Sequence, residues 1–179
     1  GGGEYENGIN YMENEKYVLK NAFLTAEGAV AALENENADS LIDKNILIIG
    51  YGRIAKALHR LLAAYGSNIT VCSRSAESAE LSSFYGASHI YFPELKKKND
   101  FDIVINTVPH IVLTEAELKA LKKSVIILDL ASFPGGADTL VAASLGLKII
   151  NGRGMPSKFT AKAAGEAIGC AADEIIRQL

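Results

Sequence analysis

Runs of consecutive apolar residues alternate along this chain with segments whose apolar positions recur at helical spacing. Ile46 to Ile49, Ile103 to Ile105 and Val125 to Asp129 are short, nearly continuous apolar runs rich in β-branched residues, as strands buried on both faces are. Ile69 to Cys72 and Leu147 to Ile150 read as strands with one polar residue each inside, Thr70 and Lys148. Ser88 to Phe92 is a weaker sixth strand, closed by Pro93. Between them lie helical patterns: Ile54, Leu58, Leu61, Leu62 and Tyr65 on one face, then Ala79, Leu81 and Phe84, then Glu115 to Leu121, then about Ala137 to Leu145. Gly66 and Gly86 stand where helices end. Six strands alternating with helices predict an α/β fold, a doubly wound parallel sheet covered by helices on both faces.

Two further helices flank this core. Thr25 is read as the cap of an N-terminal helix, with Glu27 in its first turn and Ala29, Val30, Ala32 and Leu33 inside. Asn35 to Lys44 is read as a charged connector. A long C-terminal helix follows Pro156, with Ala161, Ala164, Ile168, Ala171, Ile175 and Leu179 on one side. Its small residues, Gly165 and Gly169 among them, predict close packing on the Thr25 helix. Residues 1–20 are polar and read as an irregular tail or the remnant of a longer sequence, since the chain opens on Gly1-Gly2-Gly3 without Met. Residues 21–179 are read as a single domain.

The chemistry concentrates where the first strand ends. Ile49-Gly50-Tyr51-Gly52-Arg53-Ile54-Ala55 is a G-x-G-x-x-A turn between a buried strand and an amphipathic helix. Gly50 suits the sharp turn, Gly52 lets a pyrophosphate reach the backbone, and Ala55 permits close helix–strand packing. The helix N-terminus offers free N–H groups and the positive end of its dipole to an anion. This is the pattern of a Rossmann-type dinucleotide site, and its alternative is an ordinary tight turn in a domain that binds no nucleotide.

In such a sheet, ligands sit beyond the carboxyl ends of the strands, where the strand order reverses. Three other loops therefore become candidates. Ser73-Arg74-Ser75 follows the second strand, where an adenosine ribose would lie, and holds no acidic residue to accept from a 2′-hydroxyl. An arginine between two hydroxyls suits a 2′-phosphate, so NADP is expected, with NAD the alternative. Asn106-Thr107-Val108-Pro109 follows the fourth strand, and Asp129 with Leu130 to Gly136 the fifth. Thr107, Val108, Pro109 and Asp129 are assigned to the cofactor, and Asn106, Ser132 and Lys162 to polar contacts on the substrate side. Of three histidines, only His110 falls near the expected cleft; His59 is read as facing outward and His89 as lying in the weak strand.

Composition narrows the function further. With 179 residues and 49% hydrophobic content the chain can bury one substantial core. A net charge of −3, with Lys96-Lys97-Lys98 the lone cationic run, gives no nucleic-acid surface. No apolar run approaches the roughly 20 residues of a membrane span, and a cytoplasmic protein is expected. Cys72 and Cys170 lack metal-ligand spacing and are read as reduced thiols. Phosphate-loop and hydrolase signatures are absent from the sequence.

Four segments together resemble the A subunit of dipicolinate synthase from spore-forming bacteria. Asn21 to Ala29 (NAFLTAEGA) resembles that family's N-(S/A)-I-P-T-A-E-G-A, Ile105 to Pro109 its I-N-T-I-P, and Leu128 to Gly136 its L-D-L-A-S-x-P-G-G. Gly154-Met155-Pro156 through Gly165 is similar to its G-L-P-G-x-x-A-P-K-T-A-G. The resemblance implies oxidation of a dihydrodipicolinate-type intermediate to dipicolinate with NAD(P), hence a small dicarboxylate substrate. It also implies a partner, the flavoprotein-like B subunit, together with an additional N-terminal domain of about a hundred residues; a homo-oligomer is left open. Phe133 stands where the family pattern leads one to expect Arg, Ala161 replaces a Pro and Ala163 a Thr, which puts substrate handling in question. The alternatives are a D-2-hydroxyacid-dehydrogenase-like cofactor domain, related at the level of fold, and a non-catalytic nucleotide-binding or assembly module.

Overall fold

The apolar runs assemble into one parallel sheet in the computed structural model, which describes residues 10–37 and 39–177. Its six strands are β1 (Asn45–Ile49), β2 (Asn68–Cys72), β3 (Ser88–Ile90), β4 (Ile103–Asn106), β5 (Ile126–Asp129) and β6 (Lys148–Asn151), in the order β3-β2-β1-β4-β5-β6. The order reverses between β1 and β4, whose register pairs Ile49 with Asn106. β4 and β5 then align Asn106 with Asp129 at their carboxyl ends.

Among the described residues, seven α-helices cover the sheet or pack on the helices that do: α1 (Glu15–Asn37), α2 (Arg53–Ala64), α3 (Ala76–Phe84), α4 (Glu115–Ala120), α5 (Thr139–Ser144), α6 (Met155–Phe159) and α7 (Ala161–Ile176). Side chains alternate across each strand, so one run feeds two cores. Ile46, Ile48, Ile103, Ile105 and Leu128 pack with α1, α2 and Met155 on one face, while Leu47, Ile49, Val104 and Ile127 pack with Leu113, Leu118 and Ala142 on the other. Cys72 lies in the second core, where burial pushes its thiol up to about 12, whereas Cys170 is exposed. The doubly wound α/β reading is thereby met, β3 included.

The flanking helices differ from expectation. α1 begins at Glu15, not Thr25, and runs on to Asn37, so part of the segment read as an irregular tail, and the start of the charged connector, is helical. Residues 1–9 of that tail, like Leu179 in the C-terminal pattern, lie outside the described residues. Thr25 sits inside the helix, its hydroxyl donating to the Asn21 carbonyl at 2.7 Å. The buried face of α1 includes Ala22, Ala26, Ala29 and Ala32, whose small side chains give little apolar contrast in the sequence. Tyr65 caps the end of α2 and is 41% exposed rather than inward.

The C-terminal helix is two helices, α6 and α7, broken at Thr160 (φ −132°, ψ 38°). Both pack on α1, as expected, but the close approach is elsewhere. A Cβ on Gly28 would lie 3.0 Å from both Cβ and O of Met155, whereas one on Gly165 would meet nothing within 4 Å. The expectation that Gly165 and Gly169 mark the close approach is therefore corrected. Leucine is favoured over glycine in an exposed helix by up to ~1 kcal/mol, and overpacking costs ~1–3 kcal/mol. Urea denaturation should rank Gly165→Leu at or above the wild type and Gly28→Leu clearly below it; the reverse order would contradict this packing.

Candidate functional site

A cleft of ≈ 780 Å³ opens at the carboxyl ends of β1, β2 and β4, on the reversal of strand order. It brings together eleven residues read from the sequence as cofactor contacts: Gly50, Tyr51, Gly52, Arg53, Ile54, Ser73, Arg74, Ser75, Thr107, Val108 and Pro109. His110 also lines it. Asp129 does not, and neither do Asn106, Ser132 and Lys162. Val18, Asn21 and Ala22 of α1 close one side, which a helix starting at Thr25 would leave open.

The turn between β1 and α2 is built as its two glycines suggest. Gly50 has φ +90°, and a Cβ there would stand 2.5 Å from Thr107 Oγ1 and 2.9 Å from Val108 Cγ2. Thr107 in turn donates its hydroxyl to the Ile49 carbonyl at 2.8 Å, tying the β4 loop to the end of β1. Gly52 is the N-cap of α2, makes no side-chain capping bond, and would direct a Cβ into open space. The first turn of a twelve-residue helix thus presents N–H groups to the cleft, an arrangement that accepts an anion.

Tyr51, between the glycines, turns inward, and its hydroxyl pairs with His59 Nδ1 at 2.8 Å. His59 is only 3% exposed, which corrects its reading as an outward residue. Burial lowers its pKa and raises that of Tyr51, so the pair is a neutral hydrogen bond behind the glycine turn. In the sequence this pairing appears only as a tyrosine and a histidine eight positions apart around a helix start, a weak signal.

At the β2 end, Arg74 is exposed at the rim. The two serines beside it already have partners. Ser73 is buried and its Oγ lies 2.9 Å from His89 Nε2. Burial lowers the pKa of His89, against the smaller opposing effect of the Glu94 charge. Ser75 caps α3, accepting from the Ser78 N–H at 3.1 Å and donating to Ser78 Oγ at 2.8 Å. Arg74 is therefore the group at this end with no partner among the described residues.

Beneath the β4 and β5 loops is a closed polar network. The Asn106 amide, fully buried, donates to the Val108 carbonyl (2.9 Å) and to Asp129 Oδ1 (2.8 Å), and accepts from the Val108 N–H (3.1 Å). Asp129 also accepts from the Ala131 N–H (3.2 Å) and the Gly136 N–H (2.8 Å). Both side chains are occupied in shaping the loops. Ser132 lies exposed in the second loop, and Lys162 is exposed in the first turn of α7.

Residues 15–132 match the D-isomer specific 2-hydroxyacid dehydrogenase, NAD binding domain. The chain is 27% identical over 172 residues to the A subunit of dipicolinate synthase of Bacillus subtilis, covering 96% of this chain and 58% of that protein. It is 34% identical over 147 residues to a shikimate dehydrogenase (NADP(+)) of Methanococcus maripaludis, covering 72% of this chain and 50% of that protein. Among solved structures, the Bacillus subtilis dipicolinate synthase A polypeptide superposes with a TM-score of 0.90 at 27% identity, over 95% of this chain and 57% of that one. Its counterpart from Bacillus halodurans gives 0.88 at 26% identity, over 95% and 58%. The resemblance to the A subunit of dipicolinate synthase thus holds in sequence and in structure, although the chain spans little more than half the length of these relatives. The match over residues 15–132 decides the family: the chain belongs to the NAD-binding domains of the D-isomer specific 2-hydroxyacid dehydrogenase type.

Proposed function

We propose that the cleft binds a nicotinamide dinucleotide and that the chain is the cofactor half of an oxidoreductase resembling the A subunit of dipicolinate synthase. In the longer protein it would oxidise a dihydrodipicolinate-type intermediate to dipicolinate. The observation that carries the reading is the α2 N-terminus at Gly52, uncapped by any side chain among the described residues and facing open cleft. When bound, the dinucleotide supplies a hydride acceptor at its nicotinamide carbon. The α2 N–H groups would hold the pyrophosphate, Ile54 and Val108 would cover its apolar parts, and Thr107 to His110 would line the nicotinamide side. Asn106 and Asp129 would act by holding those loops in place, and Ser132 and Lys162 remain proposed substrate contacts from the flanking loop and helix.

Residues 21–179 with the rest of α1 would form one domain, and a further N-terminal domain would complete the active site across the cleft. The dipicolinate synthase relatives are named as one subunit of their enzyme, which supports a different, second subunit for this protein's partner. A 2-hydroxyacid-type reaction would want a histidine and a carboxylate in the cleft; among the described residues lining it, His110 is present and no carboxylate is. Turnover by the longer protein, absent in a purely binding module, separates the third possibility.

NADP is the proposed cofactor. Among the described residues, no acidic one lines the cleft to repel a 2′-phosphate, Arg74 stands at the ribose end, and the shikimate dehydrogenase relatives are named for NADP(+). With both serines already engaged, the preference falls to Arg74, whose bond to a charged oxygen contributes roughly 1.5–3 kcal/mol before exposure weakens it. The expected result of calorimetric titration is NADP binding about tenfold more tightly than NAD at low salt, converging at high salt. Arg74→Ala should remove the preference and leave NAD nearly unchanged. Tighter binding of NAD by the wild type would overturn the assignment, and failure to bind either nucleotide would overturn the function.

A further inference from the structure

Arg153 is an exposed residue in the loop after β6, and its side chain reaches back across the carboxyl end of β5. Its Nε donates to the Ala131 carbonyl at 3.2 Å, and its backbone N–H donates to Asn151 Oδ1 at 3.1 Å. The guanidinium carbon lies 5.8 Å from the centroid of the Phe133 ring, which is 84% exposed. Gly135 leaves room both for it and for the Asp129 carboxylate: a Cβ there, at φ +97°, would stand 2.7 Å from Asp129 Oδ2 and 3.2 Å from an Arg153 terminal nitrogen. So the guanidinium is held by a hydrogen bond at Nε, rests on an aromatic face, and is approached by a glycine. The N–H groups of its two terminal nitrogens have no partner among the described residues, and no carboxylate lies within 4.0 Å as an ion pair.

A planar five-donor group with its terminal fork unoccupied is matched to a carboxylate, which it can grip with two parallel hydrogen bonds. The cation–π contact with Phe133 adds to the bond at Nε in holding the guanidinium over the end of β5, which reduces the side-chain freedom lost on binding. Its position favours substrate over cofactor. The anion site at Gly52 lies at the end of β1, whereas Arg153 covers the end of β5, beyond β4, whose loop lines the cleft. We infer that Arg153, positioned by Phe133, binds a carboxylate of the substrate. The inference rests on the proposed function for the substrate class, and it makes the phenylalanine at position 133 a support for an arginine placed from another loop.

The test uses the full-length protein, with pyridine-2,6-dicarboxylate and pyridine-2-carboxylate as probes, titrated with and without NADP. In the wild type the diacid should bind more tightly than the monoacid. Arg153→Gln should weaken diacid binding at least tenfold and bring it close to the monoacid, with NADP affinity unchanged. Arg153→Lys should fall between, since it keeps the charge and loses the fork, and Phe133→Leu should cost a smaller factor. Diacid binding that is the same in Arg153→Gln and wild type would overturn the inference while the proposed function stood. Diacid that binds the wild type no better than the monoacid, or not at all, would overturn the inference and the substrate class together, and intact NADP binding would show that the cofactor assignment survives.

Discussion

Gly52→Val is expected to abolish dinucleotide binding while the protein stays folded. The wild-type residue has φ −81° and ψ −167°, an extended conformation open to any side chain, and a Cβ added there would meet nothing within 4 Å. No core contact is therefore disturbed. The loss of stability is limited to the poorer N-cap, about 1 kcal/mol or less. The branched side chain would instead occupy the open space in front of the first turn of α2, which a pyrophosphate must enter to reach the N–H groups. Each bond to a charged group contributes roughly 1.5–3 kcal/mol, so loss of two corresponds to a fall in affinity of more than about 100-fold. Gly50→Ala makes the contrast: at φ +90° and 2.5 Å from Thr107 Oγ1, a Cβ would strain the turn and push the β4 loop away, so stability and binding should fall together. Calorimetry with NADP, paired with thermal melts of both variants, separates the two behaviours. Unchanged affinity in Gly52→Val would mean that this glycine forms only a turn.

The sheet and the β1–α2 turn are legible in the sequence because their information is local. A buried parallel strand is a continuous apolar run, and a glycine pair between such a run and an amphipathic helix has few other uses, so Ile46 to Ala55 can be read without knowing what packs on it. α1 is less legible because helical contrast weakens when much of the inward face is small: Ala22, Ala26, Gly28, Ala29 and Ala32 do not stand out from a polar sequence. His59 misleads for a related reason. A histidine on a helix looks solvated until a hydroxyl elsewhere is found to satisfy it, and Tyr51 Oη is supplied by the turn, not by the helix. The break at Thr160 persists although Ala161 replaces the proline of the resembling pattern, so its signal lies in the family comparison and not in this chain's residue types. Arg153 and Phe133 cannot be paired from sequence at all. They meet only because β5 and β6 are neighbours in the sheet, with Asp129 opposite Asn151.

The same dependence on register governs the position where substitution should harm stability most. Gly136→Ala is expected to cost about 2.5–6 kcal/mol, from an overpacking cost of ~1–3 kcal/mol and the exposure of a charged acceptor to an unmade bond at roughly 1.5–3 kcal/mol. A Cβ on Gly136 would fall 1.9 Å from Asn106 Nδ2 and 2.3 Å from its Cγ, far inside contact distance. Asn106 has nowhere to go, being fully buried and bonded both ways to Val108. Displacing it takes a donor from Asp129, which is itself 8% exposed, and an alanine that pushed the loop outward would also withdraw the Gly136 N–H at 2.8 Å. Asp129→Asn should be milder, since one acceptor oxygen survives, yet its new amide hydrogens would face an N–H donor. Against a typical stability of ~5–15 kcal/mol, the Gly136→Ala loss is large enough to lower the melting temperature by many degrees. Because Val108 hangs from the Asn106 amide and lines the cleft, dinucleotide affinity should fall as well, unlike in the Gly165→Leu variant on the far helix. Urea denaturation of Gly136→Ala, Asp129→Asn and wild type, followed by NADP titration of whichever variants fold, is the measurement. A Gly136→Ala protein within about 1 kcal/mol of wild type, below the smallest overpacking cost, would show that the network can open around a methyl group and does not fix the two loops.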